Sequence, residues 1–155
     1  MDLIDRNILA CLRKNARIPA SLISEQVNLS VSAVLERIKK LENAGVIKQY
    51  TVLLDHKKIG KDLSAFISVS LDHPKHNDHF VSCIKQDRRV TECHYITGDF
   101  DFLLKVITHS TAELEATLNT IKNIPGVSLT RTLVVFSTFK QEVSIMPDVF
   151  AESPD

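Results

Sequence analysis

A three-residue break, Asn28-Leu29-Ser30, joins two amphipathic stretches and constrains this chain more than any other feature of its 155 residues. Asn tolerates the left-handed backbone that ends a helix, and Ser is a favoured helix N-cap. Before the break, Pro19 suits a first helical turn, and Leu22, Ile23 and Val27 give the helix running to about Val27 an apolar side. After it, Val34, Ile38 and Leu41 share one face of a helix predicted from Val31 to about Asn43, which Ala44-Gly45 ends. Upstream, Ile4, Ile8 and Leu12 form one helical stripe. Asp2 and Asp5 stand where the helix dipole favours acids, and Arg13, Lys14 and Arg17 stand at the far end. Three helices, the last two joined by a tight turn, make a helix-turn-helix pattern. The β-rich run 46–54 follows as an expected small wing.

In that geometry the last helix enters the major groove of duplex DNA and its N-terminal residues reach base edges. Ser32, Glu36, Lys39 and Lys40 project opposite the apolar face, with Ala33 and Arg37 on the flank. Ser32 can bond to bases or phosphates, and small Ala33 permits close approach to a thymine methyl. Arg37, Lys39, Lys40 and Lys48 can neutralise phosphates. The expected DNA-contacting set is therefore Ser30, Val31, Ser32, Ala33, Glu36, Arg37, Lys39, Lys40 and Lys48. Overall charge is zero, which excludes a uniformly basic nucleic-acid coat, but the balance is uneven. Residues 1–61 carry 11 basic and 6 acidic side chains, a net +5, and residues 62–155 carry 8 and 13, a net −5. A basic front and an acidic back predict two modules with different partners.

The stretches Asp5-Arg6-Asn7-Ile8-Leu9 and Val27-Asn28-Leu29-Ser30-Val31-Ser32, and above all the run from Leu35-Glu36-Arg37-Ile38 through Val46-Ile47-Lys48-Gln49-Tyr50, resemble the Lrp/AsnC (leucine-responsive/asparagine-responsive) transcription regulators of bacteria and archaea. The resemblance runs on through Asp55 and Ile59-Gly60 and covers roughly residues 1–147. The chain departs from the family pattern at Ala33, where Pro is frequent, at Asn28, where Gly is common, and at Leu22, where a polar residue is usual. Those departures bear on which operator is read.

The expected boundaries are a winged helix-turn-helix over 1–54, a polar hinge over 55–62, a second module over 63–147 and a tail over 148–155. Within the second module, Ala65, Ile67, Val69 and Leu71 alternate with serines and Phe66, as a strand with one dry face does. A helix is predicted from His76 to Asp87, a strand over Val90–Thr97, a two-residue turn at Gly98-Asp99 and a partner strand over Phe100–Ile107. Ser110 and Glu113 read as a capping box opening a helix with Leu114, Leu118 and Ile121 on one face. A long last strand is expected over Val127–Phe139. The order βαββαβ is ferredoxin-like, so the fold class is α+β. With both helices on one face of the sheet, a partner subunit is the simplest cover for the other, and a dimer suits a two-fold operator.

This half resembles the family's C-terminal module, the RAM type named for regulation of amino-acid metabolism, through its glycine turn Thr97-Gly98-Asp99-Phe100-Asp101-Phe102-Leu103-Leu104. The resemblance implies a free amino acid as effector, bound by Thr97, Gly98, Asp99 and Asp101, with Thr130 and Thr132 completing the pocket. It also implies dimers that assemble further, for example to octamers. The chemistry is coherent, because an α-amino group wants a carboxylate and an α-carboxylate wants hydroxyls and free backbone N–H groups.

Other signals point elsewhere. His73, His76 and His79 recur every third residue but straddle Pro74 and a loop-helix boundary, so a surface cluster is expected, not a metal site. Cys93 and His94 are strand neighbours facing opposite sides. No nucleophile elbow or phosphate-binding loop appears, so neither an enzyme nor a cofactor is expected. Cys11, Cys83 and Cys93 form no CxxC pair and read as reduced thiols of a cytoplasmic protein. No apolar run reaches the roughly 18 residues of a membrane span. Two alternatives stay open: an architectural DNA-wrapping protein without an effector, and a small-molecule enzyme on a ferredoxin-like scaffold.

Overall fold

The structure, a computed structural model, describes residues 1–146. The tail expected over 148–155 lies outside the described residues. The chain forms two compact units, one of Met1–Val52 with the described residues from Lys140 onward, the other of Leu53–Phe139.

The first unit holds α1 (Leu3–Lys14), α2 (Ala20–Val27) and α3 (Val31–Asn43). Asp2 and Asp5 close α1 reciprocally: the Asp5 N–H donates to Asp2 Oδ1 at 2.8 Å, and the Asp2 N–H to Asp5 Oδ2 at 3.1 Å. Asn28 takes the left-handed conformation, φ 52° and ψ 46°, and the Leu29 N–H reaches back to the Ser24 carbonyl at 3.1 Å. That six-to-one bond is the Schellman closure, and it leaves Ser30 free to cap α3. Ile8, Ile23, Val27 and Val34 form the buried centre, with Ile4, Leu12 and Ile38 packed around them. Each such side chain contributes roughly 1.5–3 kcal/mol on burial.

The segment 46–54 does not form the expected strand: no ladder bonds are made there, and Val52, Leu53 and Leu54 are exposed. β-prone residues make a strand only when a neighbouring backbone is available, and among the described residues none pairs with this run.

The second unit opens with a short 3-10 turn, Lys57–Ile59, where the Asp55 carboxylate accepts the Lys57 N–H at 3.0 Å. It continues through β1 (Leu63–Leu71), a second 3-10 turn (Pro74–His76), α4 (Asn77–Gln86), β2 (Val90–Tyr95), β3 (Phe102–Thr108), α5 (Thr111–Lys122) and β4 (Val127–Val134). The antiparallel sheet runs β2-β3-β1-β4. Ala65, Ile67 and Val69 lie opposite Val106, Leu104 and Phe102, so all six share one face. Phe80 and Ile84 of α4 and Leu114 and Ile121 of α5 pack on that face.

Three local expectations are corrected. β4 ends at Val134, and Phe136 and Phe139 are almost wholly exposed, because the pairing with β1 runs out at Ala65. Ser110 caps α5, accepting the Glu113 N–H at 3.1 Å. The Glu113 carboxylate, however, accepts the N–H of His109, not that of Ser110, at 2.7 Å. It also meets Lys61 at 3.4 Å and His109 Nδ1 at 2.5 Å, and these donors hold it below the usual carboxylate range, the backbone N–H foremost. Finally, β2 and β3 are joined not by a two-residue turn but by a six-residue loop, 96–101.

Candidate nucleic-acid interface and effector loop

Helix α3 begins where it does because the Ser30 side chain accepts the Ala33 N–H at 3.2 Å. It ends where it does because Gly45 supplies φ 69° and lets the Val46 N–H close onto the Leu41 carbonyl at 3.0 Å. Between those stops Val34 and Leu41 are buried, and their opposites stand in water. Val31, Ser32, Leu35, Glu36, Lys39 and Lys40 are exposed, Ala33 is half-buried and Lys48 beyond the helix is exposed. The expected outward face of α3 is therefore formed, with exposed Val31 and Leu35 along its border.

The individual groups differ in how free they are. Ser30 is committed to the cap and lies 3.1 Å from the Ser32 hydroxyl. Glu36 and Lys40 pair along the surface at 2.9 Å, which holds Glu36 below the ordinary carboxylate range. An exposed i, i+4 pair of this kind is held weakly against water and salt, so a phosphate can displace it. Lys39 and Lys48 have no ion-pair partner among the described residues. Arg37 is the exception to the pattern: its Nη1 donates to Asp2 Oδ2 and to Asp5 Oδ1, both at 2.7 Å. A shallow depression of about 460 Å³ beside it is lined by Asp5, Ala33, Glu36, Arg37, Lys40 and Val46 among others. Its charged walls are already paired with each other.

In the second unit, loop 96–101 is stitched to the end of β1. The Asp101 N–H donates to the Val69 carbonyl at 3.0 Å, and the Leu71 N–H donates to Asp101 Oδ2 at 2.7 Å. The Ile96 N–H closes the loop onto the Asp101 carbonyl at 2.8 Å, and the Ser70 hydroxyl donates to the Asp99 carbonyl at 3.3 Å. Phe100 is buried, with the Arg131 guanidinium 4.6 Å from its ring centre. These ties outcompete a tight hairpin. They leave Thr97, Gly98 and Asp99 exposed at the tip, where Gly98 takes φ 113°. Thr130 pairs with Val69 and Thr132 with Ile67, so both share the helix-covered face of the sheet with those core residues; the register does not bring them to the pocket they were expected to complete, because Arg131 beside the loop lies on the opposite face.

Sequence reasoning missed Arg131 and Ser70. Both sit on the sheet face away from the helices, and only the register that sets Ser68 against Arg131 and Ser70 against Leu129 brings them to the loop. The three histidines do not converge. The Lys75 N–H donates to His73 Nδ1 at 3.1 Å, His76 Nε2 meets Asp72 at 3.5 Å, and His79 Nε2 lies 3.6 Å from Cys83 Sγ. Half-buried Cys93 packs against the core, while its strand neighbour His94 is exposed and meets Glu92 at 3.2 Å. Among the described residues no helix is long and apolar enough to cross a membrane.

Known proteins resemble both units. Residues 1–48 match a winged helix-turn-helix DNA-binding domain, and residues 64–145 match the Lrp/AsnC ligand binding domain. The leucine-responsive regulatory protein of Klebsiella pneumoniae is 38% identical over 144 residues, which is 91% of this chain and 88% of that protein. This chain belongs to the Lrp/AsnC family. The HTH-type transcriptional regulator FL11 of Pyrococcus abyssi is 33% identical over 145 residues, 94% of this chain and 95% of the relative. Among solved structures, a Neisseria meningitidis transcriptional regulator in complex with L-Met superposes with a TM-score of 0.89 at 31% identity, covering 94% of this chain and 96% of that one. E. coli AsnC superposes with the same TM-score at 28% identity, covering 95% and 99%. The protein is accordingly an Lrp/AsnC-type DNA-binding transcription regulator: a winged helix-turn-helix unit followed by a ferredoxin-like effector-binding unit. The relatives are transcription regulators, not named as enzymes.

Proposed function

We propose that this Lrp/AsnC regulator acts in the cytoplasm as a homodimer, assembling further to a ring such as an octamer, and that an amino acid bound at loop 96–101 alters its affinity for DNA. The observation that carries the DNA half is the outward face of α3, where Ser32, Lys39 and Lys40 stand in water on a helix fixed at both ends. Ser32 and Ala33, at the N-terminal end, reach base edges. Lys39, Lys40 and Lys48 meet phosphates, each contact contributing about 0.9 to the slope of log affinity against log salt. Ser30 and Val31 place the helix start against the groove, and Glu36 accepts from a cytosine amino group once Lys40 turns to the backbone.

For the effector, exposed Asp99 and the remaining oxygen of Asp101 receive an α-amino group. The Thr97 hydroxyl, the Gly98 backbone and the Arg131 guanidinium receive the α-carboxylate. Thr130 and Thr132 stand opposite Val69 and Ile67 on the helix-covered face of the sheet, across β4 from Arg131, and are left out of this set. The L-Met complex of the Neisseria meningitidis relative favours this class of ligand. Leu129 and Leu133 are more than half exposed on the sheet face away from the helices, and a second subunit covers them. Ligand then shifts DNA affinity by binding one assembly geometry more tightly than another.

The test is a thermal-shift screen of the full chain against the twenty amino acids, followed by mobility shifts on selected and random duplexes with and without each hit. One or a few amino acids should raise the melting temperature and change affinity for the selected duplex. Indifference to all twenty, with equal binding to both duplexes, would instead mark an architectural DNA binder.

A further inference from the structure

Arg37 occupies the flank of α3 that faces α1, and its surroundings are those of a joint. One nitrogen, Nη1, donates to Asp2 Oδ2 and Asp5 Oδ1, each at 2.7 Å. The same two aspartates bond each other's backbone at the start of α1 through Asp2 Oδ1 and Asp5 Oδ2. Each carboxylate therefore uses one oxygen on the cap and the other on the guanidinium. The Asp5 side chain is only 17% exposed and that of Arg37 29% exposed. The Asp5 contact, then the Asp2 contact, raises the Arg37 pKa. The Asp2 carboxyl is held low, first by the Asp5 N–H and then by Arg37. The cluster of one cation and two anions carries net charge −1, so a phosphate approaching it is repelled where a lone arginine would attract it.

We infer that Arg37 is a positioning residue for DNA recognition: with Asp2 and Asp5 it locks the middle of α3 to the first turn of α1, and so fixes the angle at which Ser32 and Ala33 enter the groove. The inference rests on the assignment of α3 as the DNA-reading helix and goes beyond it, because it removes Arg37 from the phosphate-contacting set and gives Asp2 and Asp5 a role in selectivity. A fixed helix matters most for base contacts, which fail with small misplacements. Phosphate contacts made by long lysines tolerate them.

The experiment uses the full chain, a duplex enriched from a random pool by the unaltered protein, and an unenriched duplex of equal length. Arg37→Ala is compared with the double variant Asp2→Asn/Asp5→Asn. Asn at both positions still accepts the capping hydrogen bonds while removing the charge, so α1 stays capped. Circular dichroism melting checks that both proteins fold. Both should lose about tenfold or more in the ratio of enriched to unenriched affinity, while the salt slope on either duplex stays unchanged. A phosphate contact predicts the opposite. Arg37→Ala would then weaken both duplexes alike and lower the slope by about 1, and the aspartate variant would bind as tightly as before or tighter. That result would overturn the inference while leaving the regulator assignment intact. Failure of the unaltered protein to enrich any sequence would overturn the assignment of α3 as a sequence reader, and the inference with it.

Discussion

The outward face of α3 and the loop 96–101 are built in contrasting ways. On α3 the polar heads point into water, and the Glu36–Lys40 pair lies along the surface and is easily displaced. In the loop, Asp101 is hydrogen-bonded to Val69 and Leu71, Asp99 accepts from Ser70, and Phe100 sits under Arg131. The contrast suits the proposed division of labour, in which a long, uniformly charged polymer is met by exposed cations on a helix and a small zwitterion by a few groups held still in a loop tied down by its own backbone. Charge follows the same division, with a net +5 in residues 1–61 and −5 in residues 62–155.

The contrast can be broken first at Asp101. Replacing it by Ala strands the half-buried Leu71 N–H and should cost about 1–3 kcal/mol of stability. Asp101→Asn keeps an acceptor and should cost far less while still weakening amino-acid binding. Calorimetric unfolding and ligand titration of the two variants separate these effects. Equal stability of the two would mean that the carboxylate does not tie the loop.

On the other side of the comparison, Lys39→Ala/Lys48→Ala should leave the melting temperature within a degree or so, since neither side chain has an ion-pair partner among the described residues. DNA affinity should fall about tenfold, and the salt slope should drop by close to 2, as for two lost phosphate contacts. Filter binding across a salt series reads both. Gly98→Ala sharpens the loop account by a smaller amount. A Cβ there meets no neighbour, but φ 113° is strained for any side chain, so a loss of about 1 kcal/mol is expected from backbone alone. Thermal melting that is unaltered would show the tip to be slack.

The smallest effect is one of pH. The Asp87 carboxyl, with Arg89 Nε at 2.8 Å and Nη2 at 2.6 Å, is held below its ordinary value chiefly by those hydrogen bonds. A depressed carboxylate stabilises the fold above its unfolded pKa, near 3.8, and that contribution is lost as pH falls through the folded value. Melting of the second unit should therefore decline as pH drops below about 4, and Arg89→Ala should flatten that limb. An identical acid limb in the variant would remove Arg89 as its cause.

Sequence made some of this legible for identifiable reasons. Asn28, Ser30 and Gly45 act within four or five residues of themselves, so the ends of α2 and α3 follow from local chemistry. The alternation over Leu63–Leu71 and the spacing of Phe80 and Ile84 likewise mark the core face directly. What was not legible depends on partners far along the chain. The Arg37 joint spans 35 residues to Asp2 and 32 to Asp5. The loop is set by bonds to β1 that no turn propensity encodes. The run 46–54 has the composition of a strand but pairs with no neighbour among the described residues. For the proposed effector site, the family resemblance pointed to Asp99 and Asp101, whereas Arg131 required the β1–β4 register.

Lysine acetylation footprinting tests the central claim most directly. The full chain is acetylated with and without an enriched duplex, and modification at each lysine is read by mass spectrometry. The account predicts that DNA slows acetylation at Lys39, Lys40 and Lys48 and leaves Lys75, Lys85 and Lys122 as they were. Unchanged modification of Lys39 and Lys48 while DNA is fully bound would contradict it.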